Sequence, residues 1–156
     1  MISNRLSQAL SKQITSEFTA SQQYLGIAVY FAQQSLDGWA DFFYRQSEEE
    51  REHGLKIVRF LVDVEADFEL EPLGKATPQF TSPVEAVRAA LSWERQVTGQ
   101  FHEMAEMALA EKDYTTFQFL QWYLDEQVEE EATMQKLIDL IESGVNLFLA
   151  EGNLPS

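Results

Sequence analysis

Three of the four prolines in this 156-residue chain, Pro72, Pro78 and Pro83, fall within one short segment, and outside it the sequence keeps a nearly unbroken helical period. Proline removes a backbone donor and crowds the preceding turn, so no helix runs through that segment. Over 5–36 the apolar residues Leu6, Leu10 and Ile14, then Tyr24, Ala28 and Phe31, recur at three- and four-residue steps. That is the period of a helix with one buried stripe. Asp37-Gly38 reads as a tight break, which makes the next helix, over 39–66, an antiparallel neighbour. It carries Trp39, Phe42 and Phe43, then Ile57, Phe60, Leu61 and Val64. Ser82-Pro83-Val84-Glu85 is a helix start: a Ser cap, Pro at the first helical position and Glu three residues after the cap. The third helix runs over 83–111 through Val87, Leu91, Phe101 and Ala105. Asp113 caps a fourth over 114–143, through Phe117, Leu120, Tyr123, Met134, Leu137 and Ile141. Gly144 ends it, and 145–151 predicts a short fifth piece.

The second helix, at 1.5 Å per residue, is roughly 40 Å long. The linker over 67–81 spans roughly 50 Å when extended, enough to return along the whole bundle. The second and third helices can therefore lie parallel, in two antiparallel pairs joined by one long crossover. An up-down bundle with a loose linker satisfies the same periods. The chain length suits one domain over 1–156.

Every apolar stripe turns polar partway along. In the first helix Leu10 and Ile14 lead to Glu17 and Ser21 before Tyr24; in the second, Phe43 and Gln46 lead to Glu50 and His53 before Ile57. In the third, Leu91 leads to Glu94 and Thr98; in the fourth, Tyr123 leads to Gln127 and Glu130 before Met134. A carboxylate on a core stripe costs several kcal/mol unless it is neutralised. Protonation serves one such group but hardly four facing one another, and the stripes offer no Arg or Lys at this level. A divalent cation suits the donor set of anionic oxygens with one imidazole. Glu50-x-x-His53 sets two ligands one turn apart on one helix face. Alone, such a pair is more often a solvated face than a ligand pair, and Glu48-Glu49-Glu50-Arg51-Glu52 has the look of such a charge run; interruptions on four helices are far harder to obtain by accident.

Composition excludes several classes. Lys and Arg number 11 against 26 Asp and Glu, a net charge of -15. Nucleic acid and anionic membrane surfaces are therefore not the expected partners. No window reaches the apolar length of a membrane span, and residues 1–10 lack the apolar core of a secretory signal. Without cysteine there is no disulfide framework and no thiolate ligand or nucleophile. The expectation is a soluble, acidic, cytoplasmic protein whose chemistry uses oxygen and imidazole.

The segments QSEEEREHGLK at 46–56, SWERQVT at 92–98 and FLQWYLDEQVEEE at 119–131 together resemble those of bacterial non-haem ferritins, a likeness extending from the first helix to about Ser143. The resemblance implies an all-α, ferritin-like four-helix bundle with one long crossover between helices 2 and 3 and a short C-terminal fifth segment. It implies iron storage or detoxification with ferroxidase activity, Fe2+ being oxidised to Fe3+ by dioxygen or hydrogen peroxide at a di-iron centre and deposited as ferric oxyhydroxide. Glu17, Glu50 and His53 would hold one iron, with Glu50 bridging to a second held by Glu94 and Glu130 and Gln127 close by. Tyr24 and Trp122 match aromatic positions beside the centre that donate a hydrogen bond or an electron. Glu49, Glu126, Glu129 and Glu130 match a third iron site toward the cavity.

The same resemblance implies a homo-oligomeric shell of twenty-four subunits and a reductant, unspecified by sequence, for iron release. The tail over 145–156 is shorter than the family's usual fifth helix. Haem is not expected, because Glu52 stands where bacterioferritins carry a Met and Thr133 where they carry the second helix-borne His. Rubrerythrins need four cysteines. Mini-ferritins put their iron site between subunits, which needs no ligands on all four helices. Met104, Met107 and Met134 read as packing, and His102 as surface. Ile27 and Tyr30 read as an outer apolar face available for dimerisation. Two rival readings are a ferritin-like di-metal oxidase acting on peroxide or an organic substrate without storing iron, and a structural bundle with protonated carboxylates.

Overall fold

A computed structural model of the chain describes residues 1–77 and 79–155; Pro78 and Ser156 lie outside the described residues. The helices are α1 (Asn4–Gln33), α2 (Asp37–Asp63), α3 (Pro83–Ala110), α4 (Tyr114–Glu142) and α5 (Leu147–Ala150), followed by a 3-10 turn over Glu151–Asn153. Among the described residues there are no strands.

Local chemistry explains most of these boundaries. The Ser82 hydroxyl accepts from the Glu85 N–H at 3.2 Å, while the Glu85 carboxylate reaches back to Thr81 rather than to the cap. Asp113 accepts from the Thr116 N–H at 3.0 Å. Ser3 caps α1 by accepting from Leu6 N–H at 3.1 Å. The break between α1 and α2 falls earlier than Asp37-Gly38, which form the first turn of α2. Ser35 takes a left-handed φ of 59°, and Leu36 N–H closes onto Phe31 O at 3.0 Å. That bond ends a helix with the orphan carbonyls satisfied. Glu65 and Lys112 end α2 and α3 in the same way, at φ 56° and 57°. Gly38 has another role: a Cβ there would lie 2.7 Å from the Cβ of Glu151, so it lets the tail lie against α2.

Ser3 Oγ donates to Glu111 Oε2 at 3.0 Å, which places the start of α1 beside the end of α3. The linker climbs α1. Ser11 donates to Glu69 O at 3.1 Å, Thr77 N–H to Gln23 Oε1 at 2.8 Å, and Phe80 meets Tyr30 edge-on at 5.8 Å. The chain thus returns to the top of α1 before α3 descends, so α2 and α3 are parallel and the crossover bundle is the one formed. α1 packs mainly on α2, and α3 on α4.

The interior is two apolar clusters. The upper one joins Tyr24, Phe31, Trp39, Phe43, Val87 and Leu137, with Phe31 stacked on Phe43 at 5.5 Å. The lower one joins Leu6, Leu10, Ile57, Leu61, Phe101 and Leu120. Each such side chain contributes about 1.5–3 kcal/mol by leaving water. Ile27 is fully buried in the upper cluster and so is not the free outer face expected, whereas Tyr30 is half-buried, with one edge packed against Phe80. Ile27 continues the stripe of Tyr24, Ala28 and Phe31; Leu25 and Val29 are the exposed apolar residues of that stretch. The tail closes the top: Ala150 is buried, and Trp39 Nε1 donates to Leu147 O at 3.0 Å.

Candidate metal centre

Between the two apolar clusters lies one polar layer. It holds Glu17 of α1, Glu50 and His53 of α2, Glu94 of α3, and Gln127 and Glu130 of α4, all buried. Each continues the apolar stripe of its helix, so the packing that buries the stripe also buries the carboxylate. A close approach of α1 to α2 sets the spacing. The Phe18 ring lies where a Cβ on Gly54 would be, 2.6 Å from its Cε1, and Glu17 and His53 immediately precede these two residues.

One ligand atom each from Glu17, Glu50 and His53 falls within 4.8 Å of the others, as does one each from Glu50, Glu94 and Glu130. Glu50 is common to both sets. His53 Nδ1 lies 3.3 Å from Glu50 Oε2 and 3.9 Å from Glu17 Oε2. Neutral donors hold single oxygens: Gln13 Nε2 donates to Glu17 Oε1 at 3.0 Å, Gln127 Nε2 to Glu94 Oε2 at 2.9 Å, and the Tyr24 hydroxyl to Glu94 Oε1. Glu17 Oε2, Glu50 Oε1, Glu130 Oε2 and His53 Nδ1 are buried with no hydrogen-bond partner among the described residues. Buried polar atoms ordinarily have one. The partnerless atoms are hard oxygens with one imidazole nitrogen, the donor set for a small divalent or trivalent cation.

No Lys or Arg pairs with these carboxylates among the described residues. Burial therefore pushes Glu50 well above its ordinary range, with the charges of Glu94 and Glu17 adding to it. Glu94 is raised by burial despite the Tyr24 and Gln127 hydrogen bonds. Glu130 is pushed up to about 9, first by burial and then by Glu94. Burial and the same carboxylates raise the Tyr24 phenol.

The other candidates fall around this layer. Trp122 meets His53 edge-on at 5.2 Å, and Lys56 Nζ stands 3.6 Å over the indole. Glu126 joins His53 and Glu130 in a third group within 4.8 Å. Glu49 and Glu129 are exposed and stand outside that group, but they line the same cleft of about 660 Å³ between α2 and α4.

Two supporting residues escaped sequence reasoning. Gln13 lies four residues before Glu17 on one face, a spacing that was readable. Tyr123 counted only as core, yet its hydroxyl donates to His53 O at 2.6 Å; that bond joins α4 to α2 and leaves no sequence trace.

The sequence model for a ferritin-like domain matches residues 7–143. The chain is 39% identical over 141 residues to a bacterial non-heme ferritin of Staphylococcus epidermidis, covering 90% of this chain and 85% of that protein. It is 43% identical over 143 residues to ferritin BfrB of Mycolicibacterium smegmatis, covering 91% and 79%. An open pore ferritin from the hyperthermophilic archaeon Archaeoglobus fulgidus superposes with a TM-score of 0.95 at 33% identity, covering 99% of this chain and 98% of that one. A humanized archaeal ferritin gives 0.95 at 32% identity, covering 99% and 96%.

Proposed function

The chain belongs to the ferritin family, and from that premise we propose that it stores iron by oxidising Fe2+ at the buried layer and depositing ferric oxyhydroxide. The observation that carries this reading is the convergence of three partnerless carboxylate oxygens and one partnerless imidazole nitrogen. Iron is the substrate. Glu17, Glu50 and His53 would receive one ion, and Glu94 and Glu130 the other, with Glu50 between them. Anionic oxygens favour Fe3+ over Fe2+ and so ease electron loss. Two Fe2+ pass two electrons to one dioxygen, which takes up two protons and leaves as hydrogen peroxide; hydrolysis of the ferric products then releases protons. With hydrogen peroxide as oxidant, the two electrons cleave its O–O bond and yield water.

The protein's own groups have separate tasks in this scheme. Tyr24 and Gln127 orient Glu94 by holding one oxygen each, and Gln13 orients Glu17 through Oε1, leaving its Oε2 to receive iron. Trp122 would shield His53 or pass an electron. Glu49, Glu126, Glu129 and Glu130 would take a third ion in the acidic cleft, on the side away from α1. Assembly is proposed as a homo-oligomeric shell, twenty-four subunits by family precedent, supported by the near-complete superposition on the open pore ferritin. Cytoplasmic location is proposed by family precedent; among the described residues no helix is long and apolar enough to cross a membrane.

The test is stopped-flow absorbance in the near ultraviolet after mixing metal-free protein with two Fe2+ per subunit in air. A fast ferric signal saturating near that ratio, abolished by Glu50→Ala, is expected. A trace no faster than buffer overturns the ferroxidase assignment. A fast trace from a monomer or dimer that lays down no mineral replaces storage with a di-metal oxidase.

A further inference from the structure

Gln46 lies on α2 one turn before Glu50 and is 7% exposed, yet its Oε1 is buried without a hydrogen-bond donor among the described residues. It stands on the same stripe as Phe42 and Phe43, where an apolar side chain would bury the same surface with no orphaned acceptor. Gln46 also lines the cleft between α2 and α4, together with His53, Glu130 and Thr133. Exposed Glu48, Glu49, Glu52 and Glu129 rim that cleft, and its inner wall is the imidazole and carboxylate that face the buried centre. A cation leaving the centre for the rim must exchange its protein ligands for water, and an oxygen atom met on the way lowers the barrier to that exchange. A carboxylate at this depth would hold the ion; a neutral carbonyl exchanges it.

We propose that Gln46 is a passing ligand for iron, its side-chain carbonyl offering a neutral oxygen to ions moving between the acidic cleft and the buried centre. The proposal rests on the ferroxidase reading above. It separates residues that hold iron for oxidation from one that governs how quickly the centre clears.

The assembled, metal-free protein and two variants test it. Gln46→Leu removes the oxygen at similar volume, and Gln46→Glu restores an oxygen. Co2+ titration reads binding without turnover. Gln46→Leu is expected to keep the tight Co2+ class and to weaken the next class about tenfold, the size of one ligand contact. In successive Fe2+ additions, its first fast phase matches the unsubstituted protein, while recovery of that phase before a second addition slows by about the same factor. Gln46→Glu recovers the weaker Co2+ class. Unchanged Co2+ binding and recovery in Gln46→Leu would overturn the proposal, leaving a structural amide. Loss of the tight class and the first phase together would also overturn it, making Gln46 part of the centre's scaffold. If the unsubstituted protein shows neither fast oxidation nor Co2+ binding, the ferroxidase reading and this proposal fall together.

Discussion

Removing metal should make this protein less stable as pH rises through a range where ordinary carboxylates no longer titrate. Glu130 has its carboxyl pushed up to about 9 by burial, against an ordinary 4.5. The native state therefore binds a proton that the unfolded state has already lost. Stability falls wherever the folded form holds more protons, by at most about 1.4 kcal/mol per pH unit for one group. The loss begins as pH passes the unfolded value and levels off above the folded one. Between about pH 7 and about pH 9 Glu130 alone takes away about 2 kcal/mol, since the slope flattens near its own titration. For a chain of this size that is a drop of about 4–8 °C in Tm. Burial raises Glu50 and Glu94 in the same direction. The assay is urea or thermal unfolding of chelator-treated protein at fixed subunit concentration, because assembly couples to stability. Glu130→Gln should flatten the slope, and saturating Co2+ should abolish it by holding the carboxylates ionised while releasing protons. Metal-free stability that is level or rising from about pH 7 to about pH 9 would refute the reasoning, as would a Glu130→Gln slope equal to that of the unsubstituted protein.

Gly54→Ala drives a Cβ into the Phe18 ring; overpacking of about 1–3 kcal/mol exceeds the helix-propensity gain of about 1 kcal/mol. Urea unfolding should show net destabilisation, and Co2+ titration should show weaker binding as Glu17 moves away from His53. Lys112→Gly relieves a left-handed φ of 57° and should raise stability by about 1 kcal/mol; a lower Tm would contradict this. Lys56→Met removes the ammonium over Trp122, costing about 0.5–1 kcal/mol and altering indole emission, read by urea unfolding and fluorescence.

What the sequence determined by itself follows from period and residue chemistry. Helical periods on either side of one proline-bearing segment give four long helices. Glu17, Glu50, His53, Glu94 and Glu130 stood on apolar stripes, so their burial was legible: a residue in step with a buried stripe is buried with it. The linker's reach allowed the crossover but did not require it. The hydrogen bonds of Ser11 and Gln23 to the linker, and the ring contact of Tyr30 with Phe80, decided it, because these join residues far apart in the chain.

The same distinction separates the two informative glycines from their sequence appearance. Gly38 looked like a turn and is a helical residue cleared for Glu151; Gly54 lies in mid-helix and is cleared for Phe18. The α1–α2 turn was misplaced because Ser35, with no glycine, adopts the left-handed conformation. That Tyr24 and Gln127 hold both oxygens of Glu94, while Gln13 holds one of Glu17 and leaves the other partnerless, likewise came only from tertiary structure. Period and residue type fix which face of a helix is buried, whereas hydrogen bonds between helices depend on their separation and rotation, which arise only when all four pack together.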